Sequence, residues 1–195
     1  MQEELFNYLA QYITLSDEEK DLFNQMNLFK NYPNGHLLLK EGQYAKEYYF
    51  VIKGCLRIYY LKDGEEKTVA FYLEEESISP ESLTNNQPSA YYISCEEDSI
   101  LLVASPDMEE EVFSKFPKFA TLCRMLSEKE LAKSQSSFAN FMNSTPEERY
   151  IDLLKTRPNL FQRVPQYQIA SYLGIKPESL SRIRRRLNQK EKSTS

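Results

Sequence analysis

An α+β architecture, in which a small antiparallel barrel or jelly roll precedes a set of helices, is what the 195-residue sequence predicts. Three observations lead there. Residues 36–104 are short runs rich in Tyr, Phe, Val, Ile and Leu, set among glycines at 35, 42, 54 and 64, which is the texture of turn-separated strands. From Pro106 onward the apolar residues recur at helical spacing. Charge divides the same way. Residues 145–195 carry eleven Lys/Arg against five Asp/Glu, a net of +6, which leaves −11 for residues 1–144 of a chain whose total is −5.

The elements follow in order. "SDEEKDLFNQM" (16–26) places Ser16 three residues before Glu19, the capping-box start of a short helix. After "NYPNG" (31–35) come the strand candidates "HLLLKEG", "EYYFVIKG", "CLRIYYL" and "KTVAFYL", with Asp63-Gly64 as a hairpin turn between the last two. "AYYISC" (90–95) and "SILLVA" (99–104) complete a run of strands with no helix expected among them. One helix is expected over Asp107–Lys115 and a long one from Pro117 to about Asn143. On the long helix Phe119, Leu122, Cys123 and Leu126 share a face, and Phe138, Phe141 and Met142 resume an apolar stripe. Its middle, "SEKELAKSQSS", is followed and interrupted by little that is apolar beyond Leu131 and Ala132. A helix of that length with so little apolar surface more often lies along its own domain and pairs with a copy of itself, the alternative being an ordinary amphipathic helix in a monomer.

In "STPEERYIDLLKTRP" (144–158) Thr145 is the N-cap, Pro146 the first helical residue and Glu148 the capping-box partner, and Pro158 ends the helix. "VPQYQIASYLG" (164–174) gives a short helix, and "LGIKPESLSRIRRRL" (173–187) follows it through a turn at Gly174. Two helices joined this tightly form a helix-turn-helix, held by Ile169, Ala170, Leu173, Ile175, Leu180 and Ile183. Counted at 100° per residue from Pro177, Glu178, Ser181, Arg182 and Arg185 fall on one face, while Leu180, Ile183 and Leu187 fall on the other. A basic unit of this kind on an acidic body indicates a polyanion-binding module.

Several classes are excluded. The N-terminal "MQEELFNYLAQYITLSDEEK" has neither a basic nor an apolar region of the secretory kind, so no signal is expected. The apolar run "ILLVA" is too short to span a bilayer. Cys55, Cys95 and Cys123 form no CxxC pair and read as buried thiols in a reducing cytoplasm. With His36 as its single histidine the chain cannot build a cupin-type metal site, and no nucleophile–base pair or phosphate-cradling glycine loop is present. No enzyme, catalytic residue, metal or cofactor is therefore expected.

"GHLLLKEGQYAKEYYFVIKGCLRIYYLKDGEE" (35–66), the long helix and "ESLSR" (178–182) together resemble one family, the Crp/Fnr regulators related to the cyclic-AMP receptor protein and the fumarate–nitrate reductase regulator. The resemblance implies a β-roll effector-type domain with an N-terminal helix over 1–106, helices that include a dimerisation helix over 107–143, and a helix-turn-helix domain over 144–195. It implies a bacterial, cytoplasmic transcription regulator that binds a near-palindromic site on double-stranded DNA as a homodimer and meets RNA polymerase. Glu178, Ser181 and Arg182 match the family's readout residues. Ser179, Arg185 and Arg186 join them as DNA-binding candidates, the two arginines on phosphate.

Two departures stand out. Family members that bind a cyclic nucleotide use a Gly-Glu pair and, further on, an Arg for the cyclic phosphate. Aligned on Pro88, the stretch "ISPESLTNNQPSAYY" (78–92) has Ser79, Pro80 and Ser89 at those positions, and no arginine lies between Arg57 and Arg124. A buried phosphate without a counter-charge is costly, so cyclic AMP is not expected to bind, and the effector stays unassigned. Glu81 is a substitute for the ribose contact only. Only eight residues follow Leu187, too few for the family's β-hairpin wing. The alternative is a ligand-binding or protein-interaction module whose C-terminal helices no longer bind DNA.

Overall fold

The computed structural model describes residues 2–194, with side chains from 3 to 189. Helices α1 (Gln2–Ala10) and α2 (Asp17–Gln25) lead into strands β1 (Phe29–Tyr32), β2 (Leu37–Leu39), β3 (Tyr48–Lys53), β4 (Leu56–Lys62), β5 (Glu65–Tyr72) and β6 (Ser77–Ile78). A one-turn helix α3 (Glu81–Asn85) separates these from β7 (Tyr92–Cys95) and β8 (Ser99–Ala104). Then come α4 (Pro106–Lys115), α5 (Lys118–Asn143), α6 (Pro146–Thr156), α7 (Leu160–Arg163), α8 (Gln166–Tyr172) and α9 (Pro177–Thr194). The strands form two antiparallel four-stranded sheets, ordered β1-β8-β3-β6 and β2-β7-β4-β5. This is an α+β protein built on a β-roll. Among the described residues no helix is long and apolar enough to cross a membrane.

Local chemistry explains the boundaries. Ser16 Oγ accepts from the Glu19 N–H at 3.3 Å, and Glu19 Oε2 accepts from the Ser16 N–H at 2.7 Å, so the capping box is complete. Thr145 and Glu148 repeat it at α6. Asp63 and Gly64 have φ of 53° and 78°, the pair of positive values that a two-residue hairpin turn requires. Four short elements, β1, β6, α1 and α7, were not anticipated from sequence. Strands β1 and β6 have four and two residues, too few to show alternation, and α7 has only four, with an N-cap Asn159 that makes no side-chain hydrogen bond. The expectation of strands without an intervening helix is corrected by α3, which fits five residues between β6 and β7.

The chain forms two compact units, Met1–Ile58 with Phe71–Ser134, and Tyr59–Ala70 with Gln135–Ser195. In the first, β3 pairs with β8 in the register Tyr49↔Val103, Phe50↔Leu102 and Val51↔Leu101. Tyr49 and Val51 are buried on one face of the strand. On the other, Ile52 joins Leu5, Leu9, Phe23, Leu28, Val112, Phe119 and Leu122 in a helical cluster, with Phe50 packed against it. Glu19 is buried at its margin, where Lys118 Nζ donates to its carboxylate at 2.7 Å. Burial alone would raise the Glu19 pKa, but the Lys118 and Ser16 hydrogen bonds outweigh it and hold the carboxyl below its usual value.

Cys55 and Cys95 are buried as expected, but Cys123 is exposed. It stands on α5 between Leu122 and Leu126, in the wall of a cavity rather than in the packed cluster.

Gly54, in the β3–β4 turn, has φ of 117° and donates its N–H to Glu74 Oε1 at 2.9 Å. A Cβ there would press on Ser99 Oγ and lie 2.8 Å from the Ser99 Cα. Gly54→Ala is therefore expected to lower stability by about 2–4 kcal/mol through backbone strain and overlap together. Urea denaturation reads this as a lower midpoint at unchanged slope; an unchanged midpoint would show that the turn relaxes freely.

Candidate functional site

Two places carry the sequence-predicted site residues. The first is the β6–α3–β7 stretch. Ser79 is exposed, and Pro80 is buried and stands as N-cap of α3 without a side-chain hydrogen bond. The Glu81 carboxylate is exposed and accepts from Asn85 Nδ2 at 3.2 Å, while its N–H donates to the Tyr91 hydroxyl at 3.0 Å. Ser82 is buried, its Oγ accepting from the Ala45 N–H at 2.7 Å. Ser89 is buried too. Its Oγ donates to the Tyr91 carbonyl at 2.8 Å and accepts from the Tyr91 N–H. The Ser82 and Ser89 hydroxyls are thus engaged by main chain, and residues 78–92 hold no Lys or Arg. Nearby in sequence, Arg57 of β4 is buried and its Nε donates to Glu96 Oε1 at 2.9 Å, an ion pair whose side chains are 5% and 10% exposed. Sequence reasoning counted Arg57 but gave no sign of its partner, because residues 39 apart are joined only by the pairing of strands. His36 is exposed, with its ring 4.8 Å from that of Tyr32.

The second place is the α8–α9 pair. At the end of α8 the Gly174 N–H donates to the Ser171 carbonyl and the Ile175 N–H to the Ala170 carbonyl, both at 2.9 Å. These are the two bonds of a Schellman motif, which needs a left-handed residue at its centre. Gly174 supplies it, with φ of 71°. Ile169, Ala170, Leu173, Leu180 and Ile183 are buried, and Ile175 is half-buried. The two helices are thus joined by a tight turn and packed on a shared apolar set.

On α9, Glu178, Ser181, Arg182 and Arg185 are all exposed, opposite buried Leu180 and Ile183. Ser179 is half-buried at the edge. Ser181 Oγ donates to the Pro177 carbonyl at 3.1 Å, which spends its proton on the helix and leaves its lone pairs as acceptors. The four arginines then separate into two kinds. Arg184 Nη1 donates to Gln166 Oε1 at 2.9 Å, and it also lies beside Tyr150, whose phenol is pushed up by burial and pulled back by that guanidinium. Arg186 pairs with Glu147 at the start of α6. Arg182 and Arg185 form no ion pair among the described residues. Two cations are occupied in holding helices together; two face outward.

Residues 29–116 match the family model described as the cyclic nucleotide-binding domain. The roll has that domain's fold. The match covers the strands, α3 and α4. No curated protein matches the sequence. Among solved structures the chain is similar to FixK2 from Bradyrhizobium japonicum, with TM-score 0.70 and 19% identity over 84% of this chain and 85% of that one. It is similar to the c-di-GMP-responsive global regulator CLP from Xanthomonas campestris, with TM-score 0.67 and 16% identity over 88% and 91%. A third is the CooA variant from Carboxydothermus hydrogenoformans, with TM-score 0.66 and 17% identity over 91% and 82%. At these identities the likeness is one of fold. It extends past the cyclic nucleotide-binding domain, since each alignment takes in more than four-fifths of this chain.

Proposed function

We propose that the protein is a non-enzymatic transcription regulator of the Crp/Fnr type. It binds a near-palindromic site on double-stranded DNA as a homodimer, and in a cell it works in the cytoplasm with RNA polymerase. One observation carries the reading: on the helix proposed for recognition, exposed Arg182 and Arg185 form no ion pair among the described residues and stand beside Glu178 and Ser181. Arg offers a bidentate match to guanine O6/N7 and Glu an acceptor for cytosine N4. Arg185 and Arg186 take phosphate, Arg186 by exchanging its bond to Glu147.

The homodimer forms along α5. Leu131, Phe138 and Met142 are 60%, 68% and 67% exposed, and their spacing of seven and four residues is that of a coiled-coil seam. Half-sites about one helical turn apart follow from the two-fold axis. Light scattering is expected to give twice the 22.9 kDa chain mass, and Phe138→Glu to shift the protein to monomer. A monomeric mass for the unaltered protein at micromolar concentration would remove the seam.

Within the roll we propose a degenerate cyclic-nucleotide pocket. Ser89 stands where the phosphate-pairing arginine would be, and its hydroxyl is engaged by the main chain of Tyr91. Calorimetry with cyclic AMP is expected to show no micromolar binding; a micromolar isotherm would mean that another cation reaches the phosphate.

Arg182 and Arg185 differ in expected effect although both are exposed cations. Arg182→Ala is expected to cost about 1–3 kcal/mol on the cognate site and to flatten discrimination at one base pair per half-site. Arg185→Ala weakens all sequences about equally and lowers the salt slope by about one per subunit. Arg186→Ala has the same pattern and a smaller size. Gel shifts on cognate and singly substituted sites across a salt series measure all three. Uniform losses with specificity intact would leave α9 as a basic anchor, and no binding to any enriched genomic fragment would favour a module that has lost DNA binding.

A further inference from the structure

Between α1, α2, α4, α5 and the helix-facing side of the β1-β8-β3-β6 sheet lies a cavity of about 380 Å³, lined only by residues of the first unit. That is within the size of small-molecule sites, about 300–1,000 Å³. It is apolar over most of its wall, through residues such as Leu9, Phe113, Leu122 and Leu126. Aromatic rings gather at one part of it. Tyr8 is 5.5 Å from Tyr12 and 5.0 Å from Phe50, centroid to centroid.

The charges in the wall are unbalanced. Glu75, Glu109 and Glu130 line it against a single ammonium, that of Lys129. Glu130 has Lys133 at 3.7 Å, but neither Glu75 nor Glu109 has a cation within ion-pair distance among the described residues. Lys129 does not relieve them. Its Nζ stands 5.6 Å over the Tyr12 ring and donates to the Tyr12 hydroxyl at 3.3 Å. The cavity's own cation therefore sits on an aromatic face, a cation–π contact. Glu75 and Glu130 act on the Tyr8 phenol, which burial pushes upward and these carboxylates push further.

We propose that this cavity binds a small organic cation: a substituted ammonium with an aromatic or alkyl body, its charge balanced by the carboxylates in the wall that lack a cation, those of Glu75 and Glu109. The apolar body excludes inorganic cations, which would have to shed water against leucine and phenylalanine. The carboxylate excess excludes anions. On α5 the cavity-facing Leu122 and Leu126 point away from Leu131, Phe138 and Met142, so the site is independent of the proposed dimer seam. It is equally independent of the DNA reading, because the test below measures ligand binding alone.

The test uses the full chain and three probes of one shape, 4-hydroxyphenyltrimethylammonium, 4-tert-butylphenol and 4-hydroxybenzenesulfonate, titrated by calorimetry. The cation is expected to bind with single-site stoichiometry and at least about tenfold more tightly than the neutral phenol, with the sulfonate weakest. In the Glu75→Gln, Glu109→Gln double variant the cation's advantage over the phenol falls to about threefold or less, while the phenol's own affinity is unchanged. Equal affinities for cation and phenol, preference for the sulfonate, or no saturable cation binding at millimolar concentration would each overturn the proposal. The comparison of probes on the unaltered protein decides the matter even if the double variant does not fold.

Discussion

Strand β3 has to be buried on both faces, and the first unit is arranged around that requirement. Tyr49 and Val51 face the interior of the roll, while Phe50 and Ile52 face the helices. A strand exposed on its second side would leave an aromatic and a β-branched residue in water, at about 25 cal/mol per Å² of apolar surface. Helices α1, α2, α4 and the start of α5 supply the cover. Their placement in turn depends on a few polar ties at the margin, above all the Glu19 carboxylate shared between the α2 cap and Lys118. The cover does not fill the space completely, and the cavity beside Tyr8 and Tyr12 remains between the sheet and the helices.

In the second unit the governing constraint is different, since α9 has to supply both packing and an outward surface from one short segment. Leu180 and Ile183 meet α8. Arg184 and Arg186, flanking that buried stripe, are bound by Gln166 and Glu147. What faces outward is therefore narrower than the sequence RRR suggests. A guanidinium already paired within the fold contributes less to a long-range field than an open one, so the effective charge of the face rests on Arg182 and Arg185.

Much of this was legible in the residues. The capping boxes at Ser16–Glu19 and Thr145–Glu148, the Asp63-Gly64 turn and the Gly174 turn are local devices, decided within four residues, and they lie where the sequence places them. The exposed half of α5 was legible for the same reason, as helical spacing alone sets its faces. The illegible parts depend on distant partners. No local pattern distinguishes Arg184 and Arg186 from Arg182 and Arg185, because Gln166 and Glu147 are 18 and 39 residues away. Arg57 and Glu96 meet only after β4 and β7 pair. Strands β1 and β6 owe their existence to the longer strands beside them, β8 and β3. Cys123 was misplaced because a residue's position on a helical face does not tell where its neighbours stop.

The division of the chain into units has one more consequence. The second unit is not simply the C-terminal part: it takes in Tyr59–Ala70, the outer half of the β4–β5 hairpin, where the Thr68 N–H donates to Ser171 Oγ at 2.9 Å and that hydroxyl donates to the Glu66 carbonyl. The polypeptide consequently passes from one unit to the other three times, after Ile58, Ala70 and Ser134. Recombination by a single crossover cannot exchange such units cleanly. A chimera joined at Ser134 would inherit a hairpin fitted to helices it no longer has, and strand β5, at the edge of its sheet, would be the first place to show the mismatch. Descendants of this chain are therefore bound to change the two units together, or to carry the hairpin along with the C-terminal helices.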